Sequence, residues 1–308
     1  MSADAVIASI RENYHSVNII GTDIHPEKWL STVKYVDFFY TVPEANSSEY
    51  LKSISEICME YRVDYIIPLT DPEVDVLSEN RNLHGVKHSL VTLPDNEIVK
   101  LCRNKDQFAN RLKQTMSEVI IPTYSKAEIL DKAIEYPIVA KPKNGRSSEG
   151  FQIIYSRIEA EATGDGNTIF QPFIEGRVIT VDFVRDLEGN IVSLPRIELI
   201  RTSNGAGLTV EVIQDKTIEG LVSDIADELN LTGCMNIEFI QRDEYYYLMD
   251  INPRFSAGVG FSKLAGYDFI KNHLKVFRDE QIEPIGNIKP LRASKIYSDV
   301  ILETLPEK

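Results

Sequence analysis

Cysteine is scarce in this chain of 308 residues: Cys58, Cys102 and Cys234 stand far apart, odd in number and without a CxxC pair. That argues against a disulfide framework or a cysteine-based zinc site and points to free buried thiols in a reducing compartment. Histidine is sparse too, and none of the five lies in an HExxH spacing; His84 and His88 read as a helix end or loop. Basic residues are outnumbered, 33 against 47 acidic, for a formal charge of −14. Such a balance works against non-specific binding of nucleic acid or an anionic membrane, although a local basic pocket for phosphates remains compatible with it. No run approaches the roughly 18 apolar residues of a membrane helix, and no signal-peptide pattern, repeat or low-complexity tract is present. With 43% hydrophobic and 26% charged residues, the expected protein is soluble, globular and cytoplasmic.

What is present begins with alternation. Residues 3–12 read as a helix, 16–23 as a buried parallel strand, 40–42 as a short strand and 47–61 as a helix. Another buried strand at 64–68 leads through the loop 69–73 to a helix, and 86–93 supplies a further strand. Strands alternating with helices predict a doubly wound parallel sheet over residues 1–98, with ligands at the strands' carboxyl ends. Its opening helix lacks the strand that ordinarily precedes it, so the first strand is expected to be missing and the natural start to lie upstream. A second domain is expected over 99–302, containing a smaller subdomain at about 117–171. Within it, helices are expected at 104–114, 125–134 and 218–229, and a strand at 293–297.

The chemistry concentrates near residue 240. Residues 235–240 and 248–254 alternate like two strands joined by a polar turn at 241–244. A loop centred on Glu244 sets Glu238 opposite Asp250, and Asn252 falls on the same face because side chains repeat every second residue. Facing carboxylates destabilise a sheet unless a cation sits between them, and hard oxygen donors beside Arg254 suit Mg²⁺ with nucleotide phosphates. Spacing alone equally allows a surface hairpin with solvated acids. Lys141 ends a strand just before the glycine- and serine-containing loop 144–150, whose N–H groups are suited to close over phosphates; a polar hairpin with an exposed lysine is the alternative. Residues 168–176 offer an apolar slot in which the Pro172 carbonyl and the Ile174 N–H suit an adenine ring, or simply a connecting strand.

Taken in order, Asn104-Lys105-Asp106, Val139-Ala140-Lys141-Pro142, the loop with Ser147 and Ser148, Gln171-Pro172-Phe173-Ile174-Glu175-Gly176, Asn236-Ile237-Glu238 and Asp250-Ile251-Asn252-Pro253-Arg254 resemble the ATP-grasp superfamily. The flavour is that of carbamoyl phosphate synthetase-like and amino-acid ligase members, over roughly residues 16–270. The first third, with Gly21-Thr22-Asp23 and Pro68-Leu69-Thr70-Asp71, resembles the domain that precedes the grasp fold. The resemblance implies a two-subdomain ATP-grasp fold behind the N-terminal sheet. It implies that Lys105, Lys141, Ser147 and Ser148 contact the nucleotide phosphates and that Gln171, Pro172, Phe173 and Ile174 hold adenine. It further implies that Glu238, Asp250 and Asn252 bind Mg²⁺, with Mn²⁺ an alternative, and that Arg254 stabilises the γ-phosphate and an acyl phosphate formed from it. The loop 145–150 becomes a lid over that intermediate.

Two positions depart from the pattern: Val178 stands where many relatives grip ribose with glutamate, and Asp250 where most carry the longer acid. Arg196 and Arg201, on one strand, are candidates for γ-phosphate or a substrate carboxylate, against an exposed strand of scattered charge. The activity implied is ATP-dependent ligation of a small carboxylate to an amine through an acyl phosphate, releasing ADP and phosphate. The expected partners are those small molecules, without nucleic acid or membrane, and pairing of two copies through the first domain is allowed. A degenerate grasp fold that binds nucleotide without chemistry is the main rival, favoured by Val178. A dinucleotide oxidoreductase is opposed by the absence of G-x-G-x-x-G before Asp23.

Overall fold

The computed structural model describes residues 2–83, 86, 88–143, 150–203 and 205–304. The first third alternates as its apolar runs require. α1 (Ala3–Asn13) precedes β1 (Ile20–Asp23), which pairs in parallel with β2 (Phe38–Thr41), and α2 (Tyr50–Tyr61) follows. β3 (Tyr65–Ile66) pairs in parallel with β4 (Leu90–Val91) around α3 (Asp71–Glu79), whose start is fixed by a Thr70–Glu73 capping box. Pairing is parallel as expected, but it forms two short ladders, and their strands are half-buried or exposed, Val91 excepted. The buried residues in this region come chiefly from α2, α3 and the loops around them, including Ile54, Ile57, Val74 and Leu77.

After α4 (Asn96–Arg103) and α5 (Lys105–Leu112) comes a small subdomain in the expected place. It holds α6 (Lys126–Asp131), β5 (Ile138–Pro142), β6 (Gln152–Ile154), α7 (Arg157–Ala162) and β7 (Thr168–Pro172), with strand order β6-β5-β7. One helix was expected in this subdomain and two are present. α7 is short, and its start is marked by Ser156 accepting the Glu159 N–H.

The remainder is built on an antiparallel sheet in the order β12-β11-β8-β9-β10-β13. Its strands are β8 (Arg177–Arg185), β9 (Ile191–Arg201), β10 (Gly207–Val212), β11 (Gly233–Arg242), β12 (Tyr245–Asn252) and β13 (Leu291–Ser294), with α8 (Lys216–Glu228), α9 (Val259–Ala265) and α10 (Phe269–Val276) packed on them. Odd-numbered residues of β8 and β11, among them Val181, Phe183, Ile237 and Phe239, bury one face against α8 and α5. The opposite face carries Val184, Leu194 and Cys234, covered by Phe255, Phe269 and Ile270. Val6 of α1 joins this second cluster, so α1 packs against α9 and α10 of the C-terminal part although it belongs to the first third of the sequence. Cys58, Cys102 and Cys234 are free and buried. Among the described residues no helix is long and apolar enough to cross a membrane.

Candidate active site

The β11–β12 hairpin does set Glu238 opposite Asp250 and Asn236 opposite Asn252. It reaches that register by a route different from the expected one. Arg242 pairs with Tyr245, so the turn is Asp243-Glu244, with Asp243 at φ 54°, and a bulge between Glu238 and Phe239 absorbs one residue of β12. Leu248 and Ile251 therefore both face the α8 side, while Met249, Asp250 and Asn252 line a cleft on the other.

Register carries the site across the sheet. Asp250 pairs with Glu238, Glu238 with Thr180 and Thr180 with Arg196, which puts all four in one row on one face over β12, β11, β8 and β9. At one end of these strands that face is covered by the second apolar cluster. At the other end it is open, forming a cleft of about 420 Å³.

Cations enter from neighbouring elements. Lys105 stands at the start of α5, where the Asn104 side chain accepts the Gln107 N–H, and its Nζ lies 3.2 Å from Asp250 Oδ1. Arg201, at the end of β9, puts Nη2 2.8 Å from Glu238 Oε2. Lys141, on β5 of the small subdomain, lines the same cleft; burial and the neighbouring Lys105 charge push its pKa down to about 8. Burial raises the Glu238 carboxyl above its usual range and nearby Asp250 adds to the rise, while Arg201 opposes it. Asn252 donates its Nδ2 to Asn236 Oδ1 at 3.1 Å, and Asn236 donates to the Arg254 carbonyl at 3.0 Å. The amide oxygen of Asn252 is thereby the end left for a ligand.

Arg254 is held by the first third of the chain. Its Nε and Nη2 donate to Asp71 Oδ1 and Oδ2 at 2.6 and 3.1 Å, and Arg103 lies 2.9 Å from the same carboxylate. Burial by itself would raise the Asp71 carboxyl, but Arg254 and Arg103 outweigh it and hold it at about 2.

The donor set suits a hard dication: two facing carboxylates and an amide oxygen, the acids being paired among the described residues with Lys105 and Arg201, side chains that also suit phosphate. Among the described residues no three His, Cys, Asp or Glu side chains are grouped to hold a metal by themselves. Water and phosphate oxygens would complete such a shell.

Other candidates lie elsewhere. Gln171 is buried, and its Nε2 donates to Thr123 Oγ1 at 2.8 Å. Pro172 closes the β5–β7 ladder opposite Ile138, Phe173 donates its N–H to the Pro137 carbonyl at 3.2 Å, and none of residues 171–174 lines this cleft. Ser147 and Ser148 lie outside the described residues. Arg196 does line the cleft, yet it is buried and spent on protein partners, Asp182 at 2.6 Å, Ser256 at 2.9 Å and Glu198 at 3.1 Å. An exposed strand of scattered charge is thus corrected at Arg196 to a buried ion cluster. The resemblance leads one to expect substrate pockets in the loops around 71–73, 196–207 and 256–260, and Asp71, Glu198 and Ser256 of those segments do line the cleft. No individual role follows from the sequence for Asp71 or Glu198, and Thr180 carries no signal there.

Two family models match the chain: an ATP-grasp domain over residues 102–258 and a PylC-like, N-terminal domain over residues 4–88. The carbamoyl phosphate synthase large chain of Clostridium acetobutylicum is 20% identical over 66% of this chain. The chain spans 21% of that protein's length. The structure of a biotin carboxylase–β,γ-ATP complex from Campylobacter jejuni superposes with a TM-score of 0.76 at 21% identity, over 94% of this chain and 71% of that one. The biotin carboxylase domain of Hydrogenobacter thermophilus 2-oxoglutarate carboxylase, solved with MgADP and bicarbonate, gives 0.76 at 19% identity over 94% and 70%. At such identities the likeness is one of fold.

Proposed function

This chain belongs to the ATP-grasp domain family, and from that premise we propose that it is an ATP-dependent carboxylate–amine ligase working through an acyl phosphate. A carboxylate oxygen attacks the γ-phosphorus of ATP, the bond to the bridging oxygen breaks, and ADP leaves. An amine nitrogen then attacks the acyl carbon, the bond to the phosphate oxygen breaks, and inorganic phosphate leaves as the nitrogen loses a proton. No protein nucleophile is needed; the chain supplies position and charge.

Lys105, Lys141 and Arg201 receive the triphosphate. A phosphate beside Lys141 would restore the positive charge that burial weakens. Glu238, Asp250 and Asn252 would hold Mg²⁺, which when bound neutralises the charge of adjacent phosphates. Arg254, aligned by Asp71, faces the charge that develops on the transferred phosphoryl group and the acyl phosphate.

The observation that carries this reading is the pair of ion pairs Lys105–Asp250 and Arg201–Glu238. Each joins a phosphate-binding cation to a metal-binding acid, so MgATP exchanges both at once, cations to phosphate and acids to metal. The test is phosphate release with MgATP against libraries of carboxylates and amines. Lys141→Ala and Asp250→Asn are each expected to lower turnover by at least about 100-fold while the thermal melt keeps its cooperativity. Full turnover in either variant would refute these roles; nucleotide binding without amine-dependent phosphate release would make the protein a nucleotide-binding grasp fold.

A further inference from the structure

Thr180 stands in the middle of the cleft floor, on β8 between Glu238 of β11 and Arg196 of β9. It lines the cleft and is only 3% exposed. Its hydroxyl has no hydrogen-bond partner among the described residues, although a carboxylate and a guanidinium flank it. Both neighbours are spent elsewhere: Glu238 accepts from Arg201, and Arg196 donates to Asp182, Ser256 and Glu198. Among the described residues, the side-chain atoms both unpartnered and sealed from solvent are Arg81 Nε, Asp182 Oδ1 and Glu198 Oε2. Thr180 Oγ1 is not one of these, so it opens on the cleft. An unpaired hydroxyl so placed marks the position of a ligand.

Register fixes which part of a ligand arrives there. Asp250, Glu238, Thr180 and Arg196 follow one another across β12, β11, β8 and β9, at strand spacings of about 4.8 Å. Lys105 rests on Asp250 at the β12 end of this row, and Lys141 is near enough to feel the Lys105 charge. A triphosphate drawn in by those lysines, with its metal between Asp250 and Glu238, carries its terminal phosphoryl group towards β8.

Charge narrows the choice further. Glu238 precedes Thr180 in the row, and beyond it Arg196 is shared by the two acids Asp182 and Glu198. A free carboxylate is repelled by these acids, whereas a phosphoryl oxygen arrives with a dication that offsets them. A cation by itself pairs with the acids and leaves the hydroxyl proton without an acceptor.

We propose that Thr180 Oγ1–H donates a hydrogen bond to an oxygen of the γ-phosphoryl group of ATP, making Thr180 a further catalytic residue that holds this group in line during its transfer. The acceptor is anionic, so the bond is charge-assisted. Branching at Cβ restricts χ1, so the hydroxyl is held in place at little cost in freedom. The contact rests on the ATP site of the ligase reading, but it needs neither the amine nor turnover.

The probe is beryllium fluoride, a tetrahedral stand-in for the terminal phosphoryl group, and the measurement is calorimetry of MgADP on the full chain with and without it. Beryllium fluoride is expected to tighten MgADP binding to the unsubstituted protein. That gain is expected to shrink at least about tenfold in Thr180→Val and to be kept in Thr180→Ser, with MgADP alone binding equally to all three. Thr180→Ala replaces the valine variant if the latter does not fold. An undiminished gain in the variant without a hydroxyl overturns the proposal, and so does loss of the gain in folded Thr180→Ser. An equal loss for MgADP alone also overturns it, because the hydroxyl would then serve the metal or the diphosphate. Absence of any gain in the unsubstituted protein overturns it as well. Failure of the phosphate-release assay, by contrast, bears on the ligase reading and leaves the phosphoryl contact to its own measurement.

Discussion

Asp71 and Arg254 meet through two hydrogen bonds although they lie 183 residues apart in sequence. A carboxylate held at about 2 by Arg254 and Arg103 stays ionised throughout the physiological range, so its work is to orient guanidinium groups. Asp71→Asn keeps the shape and removes the charge. Arg103 retains Asp75 at 2.8 Å, whereas Arg254 loses its one carboxylate partner among the described residues. The expected result is a fall in ATP turnover of roughly 10- to 100-fold with a stability loss of about 1–3 kcal/mol. The loss lies below the usual cost of breaking a buried pair because both arginines keep some solvent contact. Paired turnover measurements and urea melts check this, and wild-type turnover would remove Asp71 from any role in positioning Arg254. At this scale Glu238, Asp250, Asn252 and Arg254 were legible in the sequence, because their spacing along strands is a local property. The spending of Arg196 on Asp182 and Ser256 was not, since neither partner neighbours it in sequence.

The hairpin and the joint before it show what an element's sequence conceals. Period-two alternation was enough to find β11 and β12 and the face carrying the acids. It misplaced the turn, because a bulge shifts parity without leaving a compositional mark and Asp243 takes a left-handed conformation usually reserved for glycine. The correct pairing of Glu238 with Asp250 came from two departures, a shorter turn and an added residue, that cancel. Where β7 gives way to β8, Gly176 runs so close to β11 that a Cβ would meet the Gln241 carbonyl oxygen and lie 2.7 Å from Ile240 Cγ2. Gly176→Ala is expected to cost roughly 1–3 kcal/mol, the penalty of overpacking against a backbone that cannot retreat, seen as a lower melting temperature. An unchanged melt would mean that the joint backs away from β11 freely.

The whole molecule is tied together at His273. Its Nδ1 accepts the Cys234 N–H at 2.9 Å, and its Nε2–H donates to the Thr92 carbonyl at 3.1 Å, linking the C-terminal sheet to the first third of the chain. Burial pushes its pKa down to about 4 from 6.5. Between those values the unfolded chain binds a proton that the folded chain refuses. Stability is therefore complete above about pH 6.5 and falls as pH drops towards 4, by about 3 kcal/mol from this group. Denaturant melts at pH 7 and pH 5 are expected to differ, with a flatter profile in His273→Gln; identical profiles would exclude His273 as the cause. α1 reports the same long-range closure, since Ser9 Oγ donates to both Asp268 oxygens at 2.8 and 2.7 Å. By itself the sequence determined the α/β alternation, the order of the phosphate- and metal-suited motifs and the faces they occupy, because periodicity and spacing act over a few residues. Only the tertiary structure decided that Lys105 and Arg201 rest on Asp250 and Glu238, that Asp71 holds Arg254, and that the Thr180 hydroxyl is left without a partner among the described residues. Those outcomes depend on which distant charges are buried together, and burial is a property of the packed chain.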